Sequence, residues 1–92
     1  MDNFTTDRVN AHMDTGVLQE VISEMVSQDK KWSPDRDLDP LLWNAILGEE
    51  VGEVSKAILE NDTNLRQELI QVAAVAIQFI ECIDRCEVSH EH

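Results

Sequence analysis

The chain has 92 residues, room for one small domain. Seven basic side chains stand against nineteen acidic ones, a net charge of −12 and a pI near 4.3. That field repels nucleic-acid backbones and anionic membranes, so neither is expected as a partner. A small polyanionic ligand stays open, because a divalent cation can invert the local sign.

The opening stretch, MDNFTTDRVNAHM, lacks the basic start and apolar core of a secretory signal. No run approaches the roughly 18 consecutive apolar residues of a membrane span. The two cysteines, Cys82 and Cys86, are spaced neither as a disulfide framework nor as a CxxC redox pair. A reduced, cytoplasmic protein is the simplest expectation.

Helical periodicity predicts three segments. The first runs from about 15 to 30, where Leu18, Val21, Ile22 and Met25 recur at the three-and-four spacing of one buried stripe, with Asp14 or Thr15 as the cap. KKWSPDRDLDP, residues 30 to 40, reads as a loop ending in a strong helix start, Asp39 as N-cap and Pro40 in the first turn. The second helix then covers about 39 to 60. ENDTN is a polar turn, and Asn64 with Gln67 resembles a capping box, with Thr63 competing. The third helix covers about 64 to 85. Long periodic segments with short connections predict an all-α fold, a small antiparallel helical bundle over residues 1–92, with 1–13 and 87–92 flexible. AAVAIQFI, residues 73 to 80, is apolar almost all round, so its excess is expected to be buried by another copy.

The stretch GEEVGEVSKAI, residues 48 to 58, sets three carboxylates beside an apolar stripe. At about 100° per residue, Glu50 falls inside the apolar arc of the second helix, between Ala57 and Trp43. Glu53 lies at its edge and Glu49 further out. On the third helix Glu68 falls among Val72, Val75 and Phe79. A buried ionised carboxylate costs several kcal/mol unless it is paired or metal-bound. Lys56 and Arg66 lie off these arcs. A hard divalent cation such as Mg²⁺, held by Glu50 and Glu53 from one helix and Glu68 from the next, would resolve the conflict. A solvated acidic face is the plain alternative.

Glu49-Glu50-Val51-Gly52-Glu53, a spacer, then Glu68-Leu69-Ile70-Gln71 resembles the E-E-x-x-E … E-x-x-D signature of the MazG-like all-α nucleoside triphosphate pyrophosphohydrolases. The flanks QDKKWSPDRD, WNAILGEEVGEVSKAILEND and NLRQELIQVAAVAIQFIECIDR resemble a short single-domain group of that superfamily, over roughly residues 17 to 85. The resemblance implies Mg²⁺, for which Mn²⁺ can substitute, and cleavage of a nucleoside triphosphate between the α- and β-phosphates to a monophosphate and pyrophosphate. It implies Glu50, Glu53 and Glu68 as metal ligands, with Gln71 at the fourth position, and Glu49 as an outer group that helps orient the attacking water. It also implies a homodimer or homotetramer. Gln71 stands where the signature has Asp; an amide is a weaker ligand for a hard cation and cannot act as a base. A non-catalytic helical interaction module that kept the fold is therefore the competing expectation.

Trp32, beside Lys30 and Lys31, is a candidate for stacking on a base, and Lys30, Lys31 and Arg36 are candidates for steering phosphates, with plain surface charge as the alternative. Asn44, near the acidic motif, is a candidate sugar contact. Trp43 shares an arc with Ile46 and Val54 and is expected in the core. Cys82, Cys86, His90 and His92 are too irregularly spaced to indicate zinc, and buried reduced thiols are expected. His12 has no evident partner.

Overall fold

The computed structural model describes the backbone of residues 15–90 and the side chains of residues 16–86. The described residues form three helices and no strand: α1 Thr15–Trp32, α2 Pro40–Leu59 and α3 Leu65–His90. The all-α bundle expected from periodicity is what forms. No described helix is long and apolar enough to cross a membrane.

Each junction has a local cause. α1 ends on Lys30 and Lys31, cations placed favourably at a helix C-terminus. Ser33 follows at φ 114, its N–H still bonded to the Asp29 carbonyl at 2.9 Å, and Pro34 cannot continue the helix. A non-glycine residue at such a φ costs about 1–3 kcal/mol, so surrounding contacts must hold the loop in place. α2 begins as expected: the Asp39 carboxylate accepts from the Leu41 N–H at 2.8 Å, and Pro40 occupies the first turn. It ends in a Schellman motif. Asn61 sits in the left-handed region at φ 54, its N–H reaches the Ile58 carbonyl at 3.2 Å, and the Asp62 N–H reaches the Ala57 carbonyl at 2.8 Å. The expected Asn64–Gln67 capping box is replaced. The Asp62 carboxylate accepts from the Asn64 N–H at 2.9 Å, and Gln67 turns away toward α1. α3 continues to His90 rather than stopping near Arg85, because nothing in Glu87–Val88–Ser89–His90 interrupts a helix. The expectations for residues 1–13, for Asp14 as a cap, for His12 and for His92 lie outside the described residues.

α3 is the central element. It packs against α1 on one side and α2 on the other, while α1 and α2 scarcely meet. One core cluster joins Val21 of α1 to Ile70 and Ala74 of α3. The other joins Trp43 of α2 to Val75 and Cys82 of α3, with Leu38, Ile46, Leu47 and Phe79 packed around them. Trp43 is 1% exposed and stacks on Phe79, with centroids 5.8 Å apart. Of the stripe expected on α1, Val21 is buried and Met25 half-buried, but Leu18 and Ile22 are exposed. A helix with one neighbour covers only a narrow strip.

The result is an open layer of 49 × 36 × 22 Å, its thinnest dimension about two helix diameters. The radius of gyration is 15.4 Å, against about 12 Å for a compact domain of this length.

Candidate functional site

Where α1, α2 and α3 come together near the 33–39 loop, they enclose a cleft of about 590 Å³. Its lining combines different chemistries. Glu24 of α1, Glu49 and Glu50 of α2, and the amides of Gln28 and Gln71 contribute oxygen-rich surface. Lys31, Trp32 and Arg36 contribute basic and aromatic surface, and Leu38, Ile46 and Val75 are apolar.

Glu50 is the focus of the acidic group. The wheel set it between Trp43 and Ala57; both are buried, and Glu50 is half-buried. Its carboxyl pKa is raised above the ordinary value. Loss of water is the largest cause, followed by the negative charges of Glu68, Glu49, Glu53 and Glu24 in that order. Carboxylates from all three helices therefore act on one group. Among the described residues, no lysine or arginine forms an ion pair with Glu49, Glu50, Glu53 or Glu68. Arg66 instead pairs with Glu20, and Arg85 with Asp37.

Two amides bridge α1 and α3 beside this cluster. Gln28 Nε2 donates to Gln71 Oε1 at 3.0 Å and to Glu24 Oε2 at 3.1 Å. Gln67 Nε2 adds a longer bond to Glu24 Oε1 at 3.4 Å. The Gln71 oxygen thus accepts from Gln28 while the same Gln28 amide donates to Glu24.

Among the basic residues of the lining, the Lys31 ammonium lies 5.1 Å from the Trp32 ring centroid, and that ring is 58% exposed. Arg36 is held on two sides. Its guanidinium lies 5.1 Å from the centroid of the buried Trp43 ring, and Nη2 donates to Gln78 Oε1 at 3.2 Å. A cation anchored in this way has little freedom left to lose.

The residues singled out from sequence divide as follows. Glu49, Glu50, Gln71, Lys31 and Trp32 line the cleft. Glu53 is exposed and Glu68 half-buried; neither belongs to the lining, but both act on Glu50 through their charge. Asn44 is exposed and outside the lining. Burial of three glutamates was the expectation; two are half-buried and Glu53 is in water, because α1 and α2 do not close over it. Glu24, Ser27 and Gln28 were missed. The signal was present: measured from Val21, Glu24 falls at about 300° and Gln28 at about 340° on the wheel, both beside the buried strip of α1.

The donors are carboxylate and amide oxygens, the ligand type of hard divalent cations; burial and then neighbouring carboxylates raise the Glu50 pKa. The oxygens are not gathered. Among the described residues, no three of these acids bring ligand atoms within 4.8 Å of one another; Asp37, Cys82 and Cys86 do. Like charges facing each other separate, and a glutamate side chain has the reach to do so. Searches against protein-family models, curated proteins and solved structures return no match to this chain.

Proposed function

We propose that the chain is a Mg²⁺-dependent nucleoside triphosphate pyrophosphohydrolase, a hydrolase that splits its substrate between the α- and β-phosphates. One observation carries the reading: a single cleft lined by carboxylate and amide oxygens, by two cations and by an exposed indole. Triphosphate, metal and base need those three surfaces side by side. Glu50, Glu53 and Glu68 would hold the metal, with Glu49 and the Gln71 amide beside them. Bound there, Mg²⁺ would neutralise phosphate charge and lower the pKa of a coordinated water. Arg36 and Lys31 draw the phosphates inward and offset their charge. Trp32 offers a face on which a base can stack. Glu49 would orient a water and accept its proton. Glu24, tied by Gln28, adds negative field on the α1 side.

Leu41, Ile58 and Leu59 of α2 and Ile80 of α3 are left in water, Leu59 at 85% exposure. With the open layer, this supports a homodimer or homotetramer that covers those faces. The free thiols of Cys82 and Cys86 agree with a cytoplasmic setting.

The test is pyrophosphate release from a panel of ribo- and deoxynucleoside triphosphates, with Mg²⁺ and with EDTA. We expect metal-dependent turnover of at least one nucleotide. Glu50→Gln should lower it roughly 100-fold or more while helix content is kept. A second reading, a non-catalytic helical interaction module, is favoured by the ungathered oxygens and the exposed apolar side chains. It prevails if no nucleotide is cleaved and Mg²⁺ leaves the melting temperature unchanged.

A further inference from the structure

A second cluster lies where the loop before α2 crosses the C-terminal half of α3. Cys82 and Cys86 are one helical turn apart, and their Sγ atoms lie 4.0 Å from each other. Asp37 approaches from the loop, so that one carboxylate oxygen and the two sulfurs all lie within 4.8 Å of one another. Three donors from two chain segments therefore converge on one point. A tetrahedral zinc with Zn–S bonds of about 2.3 Å sets its sulfurs about 3.8 Å apart, close to the separation found here.

The surroundings fit. Asp37 Oδ1 already accepts from Arg85 Nε at 3.0 Å, the kind of outer hydrogen bond that orients a ligating carboxylate. Two thiolates and one carboxylate bring three negative charges; a divalent cation and the adjacent guanidinium offset them. Cys82 is buried, and besides the Cys86 sulfur its Sγ meets the Leu38 carbonyl at 3.6 Å, a long contact that a metal bond readily replaces. A cavity of about 510 Å³ borders all three residues, leaving room for entry and for a water as fourth ligand. Cysteine spacing alone could not disclose the centre, because the third donor comes from another part of the chain.

We propose that Asp37, Cys82 and Cys86 form a binding centre for a thiophilic divalent cation of the Zn²⁺ type. On binding, each thiol loses its proton to solvent, and the cation clamps the loop that carries Arg36 onto α3. The centre does not depend on the nucleotide reading.

The test is titration of the reduced protein with Co²⁺, followed by Zn²⁺ displacement, under an inert reductant. We expect one Co²⁺ per chain with a thiolate-to-cobalt charge-transfer band that Zn²⁺ abolishes. Cys86→Ser should lose most of the band, Asp37→Asn should weaken binding about 10-fold or more, and Glu50→Gln should keep both. Asp37 is exposed, so its variant reports on binding even where a cysteine variant folds poorly. The proposal is overturned if the wild-type protein shows no charge-transfer band, or if Asp37→Asn binds Co²⁺ as tightly as wild type.

Discussion

The two seams of α3 are built from different materials. Toward α2 the seam is aromatic and dry: Trp43 stacks on Phe79 above Val75 and Cys82, and Arg36 closes the top. Toward α1 it is thin: Val21, Ile70 and Ala74 make the buried part, and polar ties do much of the rest. Those ties are Gln28 to Gln71, Gln67 to Glu24, and Arg66 to Glu20, the last two of them exposed. Surface ion pairs and neutral hydrogen bonds each contribute about 1 kcal/mol or less, whereas a buried tryptophan contributes several. The α2–α3 pair is thus the rigid platform and α1 the loosely held wall. A cleft bounded by both can admit a ligand by shifting α1 while the platform that bears Glu49, Glu50 and Gln71 stays put.

That contrast can be broken or sharpened by substitution. Trp43→Ala should have the largest effect, about 3–5 kcal/mol in urea unfolding, because it empties the dry seam and frees Arg36. Val21→Ala should cost about 2 kcal/mol and act locally. In wild-type hydrogen exchange α1 amides should exchange before those of α2 and α3. Val21→Ala should widen this gap, and Trp43→Ala should narrow it. Gln28→Ala should cost about 1 kcal/mol, since it leaves two acceptors at a half-solvated seam, and should raise exchange in α1 alone.

Glu50→Gln should have the smallest effect and the most telling sign. The raised pKa means that the folded state resists the charged form, so ionised Glu50 destabilises the metal-free fold at neutral pH. The variant should therefore melt above wild type at pH 7. Its advantage should shrink as pH falls through the raised folded pKa and vanish below the ordinary glutamate value, where both states are protonated. Added Mg²⁺ should reverse the order at neutral pH, stabilising wild type more than the variant. Equal melting temperatures across the pH range would show that Glu50 is no focus of the acidic cluster.

Legibility in the sequence followed the range of the interaction. Asp39 and Pro40 announced the start of α2 because a cap acts within three residues. Trp43 and Glu50 fell where the wheel put them because α2 is regular throughout. The Gln28–Gln71 bond and the approach of Asp37 to Cys86 were illegible because each joins distant parts of the chain. The exposure of Leu18, Ile22 and Glu53 was misread for a related reason. A wheel assumes that an apolar arc has something to face, and here α1 and α2 each have one neighbour.

The Schellman turn at Asn61 closes α2 onto α3 with bonds that span only a few residues. α1 has no such nearby partner. It leaves the ribosome before α2 and α3, while Ile70 and Ala74, on which Val21 rests, are still to be translated. During that interval Leu18, Ile22 and Val26 stand in water together with Val21. The nascent segment is then an amphipathic ribbon without a seat, and the α2–α3 hairpin, made after it, provides one.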